Sequence, residues 1–204
     1  MKTFLFQGDS ITDCGRDRDN IQSLGMGYPL VTAANIGSEY PEKFKFINKG
    51  ISGNRIADVY ARIKCDILNL KPDYMSILIG INDVWHELGC QNGIAAPKFE
   101  KIYSMLIEEI KEELPEIKIF ILEPFVTAGT ATDENIEYFR SEAKLRAEAA
   151  KRVAEKYNLK FVPLQEKFDE AMEKAPASYW THDGVHPTPE GHGIIAKELI
   201  KAVL

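Results

Sequence analysis

Tyr74-Met75-Ser76-Ile77-Leu78-Ile79-Gly80-Ile81-Asn82-Asp83 is the stretch on which the fold turns. Its first six residues are almost continuously apolar. That pattern marks a central parallel strand covered on both faces, not a strand with one wet side. Outward from it, residues 3–6, 44–48, 117–122 and 161–164 form similar short apolar runs. Helical patterns lie between them. Phe99, Ile102, Tyr103, Leu106, Ile110 and Leu114 recur at spacings of three and four, which places them on one helix face, and Pro115 ends that helix. Residues 133–157 predict a long helix with Ile136, Phe139, Ala143, Ala147, Ala150 and Ala154 on one stripe. Ile56, Val59, Ile63 and Ile67 predict another. Thr188-Pro189-Glu190 reads as a Thr N-cap with Pro in the first turn of a last helix, which turns Ile195, Leu199 and Val203 inward.

Five strands alternating with helices predict an α/β three-layer sandwich around a five-stranded parallel sheet. Right-handed crossovers restrict its topology, and the order expected is the flavodoxin-like 2-1-3-4-5, in one domain over residues 1–204. Ligands of such sheets bind beyond the carboxyl ends of the strands. The loops after strands one to four are therefore where chemistry is expected.

The composition narrows the function. The 204 residues are 45% hydrophobic and 27% charged, enough for a core without metal or disulfide staples. The net charge of −6 lacks the footprint of a nucleic-acid binder and disfavours an anionic membrane surface. Cys14, Cys65 and Cys90 are odd in number and widely spaced, so neither a disulfide framework nor a CxxC site is indicated. No stretch approaches the roughly 20 apolar residues of a membrane span. The apolar run at the N-terminus is too short for a signal peptide, so the protein is expected to be cytoplasmic or to have lost a leader.

Four blocks carry reactive side chains. Gly8-Asp9-Ser10-Ile11-Thr12-Asp13 follows strand one and puts a serine hydroxyl where backbone N–H groups converge, as a nucleophile with its own oxyanion donor requires. The same tripeptide also suits a turn or a helix cap. Thr181-His182-Asp183-Gly184-Val185-His186-Pro187 supplies a base and its acceptor. Asp183 and His186 are three apart, and Pro187 holds His186 extended. Asn82 is a neutral amide donor for a developing oxyanion or, alternatively, a turn former. In Asn48-Lys49-Gly50-Ile51-Ser52-Gly53-Asn54-Arg55, Gly53 offers a further N–H or simply a turn. All four blocks fall on one edge of the predicted sheet.

In this order, Gly8-Asp9-Ser10-Ile11, Gly53, Gly80-x-Asn82-Asp83 and Asp183-x-x-His186-Pro187 resemble the SGNH hydrolase superfamily, also called GDSL esterases and lipases. The match spans residues 8–192, with no departure at these positions. The resemblance implies Ser10 as nucleophile, His186 as base and Asp183 as its orienter. It also implies an oxyanion hole made of the Ser10 N–H, the Gly53 N–H and the Asn82 side chain. No metal or organic cofactor is implied. The segments around Ser10 and His186 look like the branch of acetylxylan and related carbohydrate acetyl esterases. The expected activity is thus hydrolysis of short acyl esters on sugars or xylo-oligosaccharides, with a lysophospholipase or thioesterase as the alternative. Asp9, Arg55, Trp85 and Trp180 are candidate substrate contacts, the tryptophans beside a sugar ring or packed in the core. Asp13 and Arg16 are read as a surface pair or as pocket lining, and Glu123-Pro124-Phe125 as pocket wall or loop packing.

Two rival classes remain at this level. A metal hydrolase would use His182, Asp183, His186 and His192 as ligands but would leave Ser10, Gly53 and Asn82 without a role. A non-catalytic binding protein would have no need of Ser10, Asp183 and His186. A homo-oligomer is compatible with the sequence, because the alanines at 143–154 suit either a dimer surface or packing on the sheet.

Overall fold

A computed structural model describes residues 1–204. Strands β1 (Lys2–Gly8), β2 (Phe44–Asn48), β3 (Tyr74–Leu78), β4 (Lys118–Leu122) and β5 (Lys160–Val162) form one sheet. All neighbours pair in parallel and the order is β2-β1-β3-β4-β5, as expected. The helices are α1 (Ser10–Asp13), α2 (Tyr28–Glu39), α3 (Ile56–Ala61), α4 (Ile63–Asp66), α5 (Ile81–Cys90), α6 (Ala96–Glu113), α7 (Ile136–Lys156), α8 (Gln165–Met172), α9 (Ala177–Trp180) and α10 (Pro189–Val203).

Successive strand residues point to opposite faces, and this divides the core. Leu5, Met75, Ile77, Ile119 and Ile121 pack with α3, α4, α6 and the carboxyl half of α7. Phe4, Phe6, Tyr74, Leu78, Phe120 and Leu122 pack with α2, α8 and α10. The two clusters hold 22 and 21 buried residues, so the sheet is the middle layer between equal cores. No helix is long and apolar enough to cross a membrane.

Several boundaries differ from the sequence reading. β5 ends at Val162 and not at Leu164, because Pro163 has no N–H to continue the ladder. The helix expected through Ile56 and Ile67 is broken at Arg62 (φ −111°, ψ 17°), although Ile56, Val59, Ile63 and Ile67 are all buried. Residues Asp133–Asn135 form a 3-10 turn before α7 begins. Ala143, Ala147, Ala150 and Ala154 are buried within the chain, so this stripe packs inward and is not a dimer surface. Glu123 accepts from the Leu164 and Gln165 N–H groups and Phe125 stacks on Phe168, so this loop is packed in place, and Glu123 and Pro124 also line a cavity with Arg140, Lys144 and Asp169.

Candidate active site

The carboxyl end of β1 runs directly into α1. Asp9 is its N-cap, accepting the Ile11 N–H at 3.0 Å, and so places Ser10 on the first helical residue above the sheet edge. The Ser10 hydroxyl lies 2.9 Å from His186 Nε2. His186 Nδ1 lies 2.7 Å from Asp183 Oδ2. Asp183 Oδ1 accepts the N–H groups of Val185 at 2.9 Å and His186 at 2.8 Å. One loop therefore fixes the carboxylate by its own backbone and aims the other oxygen at the ring. With Nδ1 donating to Asp183, Nε2 is left to accept the Ser10 proton. Burial works to raise the Asp183 pKa, but the hydrogen bonds from the His186 N–H, the His186 ring and the Val185 N–H outweigh it and hold the carboxyl below its ordinary value.

Two backbone donors stand by. Neither the Ser10 N–H nor the Gly53 N–H donates to a protein acceptor. Gly53 has φ +80°, a conformation that favours glycine, and a Cβ built there would meet nothing within 4 Å, so the surface above it is open. Asn82, in the first turn of α5, donates one amide hydrogen to Asn54 O at 3.1 Å, beside Gly53. This bond draws the loops after β2 and β3 together and leaves the second amide hydrogen for a ligand.

The other candidates divide. Trp85 lies half-buried next to His186, with ring centroids 5.9 Å apart, and is held edge-on by Phe139. Trp180 turns its indole N–H to Ala175 O and its ring onto Tyr179, so it serves the packing of α9. The Arg55 guanidinium is tied to Asp58 in α3 and to Asn92 in the loop after α5, which makes it a clasp between those two segments. Asp9 is only 1% exposed and its Oδ2 has no partner. Burial pushes this carboxyl up to about 7, against the pull of the Ile11 N–H and His186. Asp13 and Arg16 are not a surface pair: both side chains are 5% exposed. They do pair, at 3.9 Å, but buried, and Asp13 also accepts from Arg18 and Ser52 while Arg16 donates to Gly50 O.

Of the four residues of the metal reading, His192 faces elsewhere. Its Nδ1 accepts the Tyr28 N–H and its Nε2 lies 3.3 Å from Cys14 Sγ. Burial, helped by His182 and His186, lowers its pKa to about 4 and keeps it neutral. No three His, Cys, Asp or Glu side chains converge as metal ligands.

The sequence reading missed the support behind the Asp183 loop. Thr127 Oγ1 lies 2.6 Å from Thr181 Oγ1, the Thr127 N–H donates to Gly184 O, and the Ala131 N–H donates to Asp183 O. The only signal for it was the run of small residues at 127–132, separated from the end of β4 by four residues.

The GDSL-like lipase/acylhydrolase family model matches residues 6–194. An acetylxylan esterase of Geobacillus stearothermophilus is 34% identical over 209 residues, covering 98% of this chain and 92% of that protein. The crystal structure of Axe2, an acetylxylan esterase from Geobacillus stearothermophilus, superposes with a TM-score of 0.89 at 33% identity, over 99% of this chain and 94% of that one. A Parabacteroides merdae structure described as a GDSL-like lipase gives a TM-score of 0.93 at 37% identity, over 98% and 94% of the two chains. An α/β hydrolase enzyme from the metagenome of Lake Arreo, Spain, gives 0.88 at 29% identity, over 98% and 94%. Sequence, fold and the order of the site blocks thus agree, and the chain belongs to the GDSL-like lipase/acylhydrolase family.

Proposed function

We propose that this protein is a serine esterase that removes acetyl groups from sugars or xylo-oligosaccharides. The observation that carries the reading is the unbroken relay from Ser10 Oγ through His186 to Asp183, with spans of 2.9 and 2.7 Å, beside two idle backbone N–H groups. In this reading Ser10 Oγ attacks the ester carbonyl while His186 Nε2 takes its proton. The Ser10 N–H, the Gly53 N–H and Asn82 Nδ2 bind the oxyanion. His186 then returns the proton to the leaving alcohol, and water, activated by the same imidazole, releases acetate and regenerates Ser10. Asp183 holds the ring in the tautomer that can accept and stabilises the imidazolium.

The sugar acetyl ester as substrate rests on the likeness to the acetylxylan esterase across nearly the full chain. It is also supported by Trp85 beside His186, which offers a flat apolar face for a sugar ring. Purified protein is assayed on p-nitrophenyl acetate against its Ser10→Ala variant, then on acetylated xylo-oligosaccharides, other sugar acetates, lysophospholipids and acyl-CoA. Equal p-nitrophenol release by the two proteins overturns the esterase reading. A preference for the lipids or thioesters overturns the sugar assignment.

A further inference from the structure

Asp13 has no part in the relay, yet its carboxylate is the point where two catalytic loops join. It lies three residues after Ser10, at the end of the same four-residue helix. Its Oδ2 accepts both the N–H and the hydroxyl of Ser52, each at 3.0 Å, and the Arg18 guanidinium at 2.5 Å. Ser52 is the residue immediately before Gly53. The two loops also touch through backbone: a Cβ on Gly50 would come within 2.4 Å of Asp13 N, and Arg16 Nε donates to Gly50 O at 2.8 Å. On its far side the same loop is tied to the loop after β3. Asn82 donates to Asn54 O, and the buried Asp83 carboxyl accepts the Ile56 N–H at 3.2 Å.

We propose that Asp13 is a positioning residue for the oxyanion hole, setting the spacing between the Ser10 N–H and the Gly53 N–H by holding Ser52 against the nucleophile's helix. An oxyanion donor stabilises a transition state only within about 2.7–3.1 Å of the developing charge. Gly50, Ile51 and Asn54 are held by Arg16, by the Gly8 carbonyl and by Arg62. Ser52 is held by Asp13 alone, so without that bridge the φ +80° turn at Gly53 loses the anchor of its immediate neighbour and its N–H is free to drift from Ser10. The electrostatics agree. Burial works to raise the Asp13 pKa, but Arg18 and Ser52 outweigh it and keep the carboxylate charged, the form that accepts three donors.

The inference rests on the oxyanion reading above, and the wild-type enzyme reports on that separately. If p-nitrophenyl acetate hydrolysis does not depend on Ser10, the esterase reading is what fails. Given Ser10-dependent hydrolysis, Asp13→Ala, Asp13→Asn and Ser52→Ala are compared for kcat, KM and melting temperature. Asp13→Ala is expected to lose at least tenfold in kcat with KM changed less than threefold. Asp13→Asn, which keeps an acceptor for the Ser52 N–H, is expected to recover part of the loss. Ser52→Ala, which loses only the hydroxyl bond, is expected to fall between Asp13→Asn and wild type. A boronic acid that mimics the tetrahedral adduct should weaken in parallel with kcat, a readout that loss of stability alone does not move. Folded Asp13→Ala with kcat within threefold of wild type overturns the proposal. So does boronate affinity unchanged across the series. If Asp13→Ala does not fold, unchanged kcat in both Asp13→Asn and Ser52→Ala overturns it.

Discussion

Asp9→Asn tests the electrostatics of the residue that seats the nucleophile. The Asp9 carboxyl is 1% exposed, and burial raises its pKa from the ordinary 3.8 to about 7. Between those values the folded state keeps a proton that the unfolded chain has lost. The stability this proton lends is fully present below about pH 4. It drains away as the pH rises through about 7, because the unfolded state binds fewer protons throughout that window. The difference of about three in pKa corresponds to roughly 4 kcal/mol, at about 1.4 kcal/mol for each. Asparagine caps a helix as well as aspartate does, so the Ile11 N–H keeps its acceptor. The amide nitrogen placed where Oδ2 stood lacks a partner, at a cost of about 1–3 kcal/mol that does not vary with pH. The assay is urea unfolding of both proteins at pH 4, 5, 6, 7 and 8. The stability of Asp9→Asn relative to wild type is expected to climb by roughly 4 kcal/mol across the series, or about 8–16 °C in melting temperature for a chain of this size. Taking the difference between the two proteins cancels the titration of His192 and the surface groups, which owe no part of their shifts to Asp9. A difference that stays flat from pH 4 to pH 8 refutes the reasoning, because it would mean that Asp9 ionises in the folded protein as it does in water.

Turnover of p-nitrophenyl acetate checks outcomes for five further variants. Ser10→Ala and His186→Ala are expected to fall to background with unchanged melting temperature, and Asp183→Asn to lose on the order of 10³- to 10⁴-fold through a mis-set tautomer. Because the Asp183 pKa is held below its ordinary value, this carboxylate stays charged through the neutral range. Its contribution to stability is present above about pH 4 and is lost as the pH falls through its lowered pKa, a loss that acid unfolding of Asp183→Asn should lack. Asn82→Ala is expected to lose about 10²- to 10³-fold in kcat, from one oxyanion donor and the tether to Asn54. Gly53→Ala meets no steric clash, so its strain at φ +80° should cost about 1 kcal/mol by urea unfolding, with a larger proportional loss in kcat as the N–H shifts.

The architecture could be read in the chain because its signals are local. A strand buried on both faces, such as Tyr74–Leu78, must be apolar at nearly every position. Pro115 and the Thr188 cap act on backbone groups within a turn of themselves, which is why those helix limits were legible. Ser10, Asp183 and His186 were legible for a related reason. Asp183 and His186 sit within one turn of each other, and the topology carries the loop holding them to the same sheet edge as Ser10.

Other roles depend on partners far away in sequence, and no spacing announces them. Asp13 and Arg16 look like a helical surface pair until the β2–α3 loop closes over them and supplies Ser52 and Gly50. Trp85 and Trp180 are equivalent as letters, but only Trp85 is set beside His186, because Phe139 of α7 crosses above it. Asp9 follows an apolar strand like many a turn aspartate, and only its depth in the packed protein gives it a pKa of about 7. Periodicity and capping determine which elements form and in what order. Desolvation and hydrogen-bond partners are properties of the assembled layers, and those layers decide which polar side chains react, which position and which merely pack.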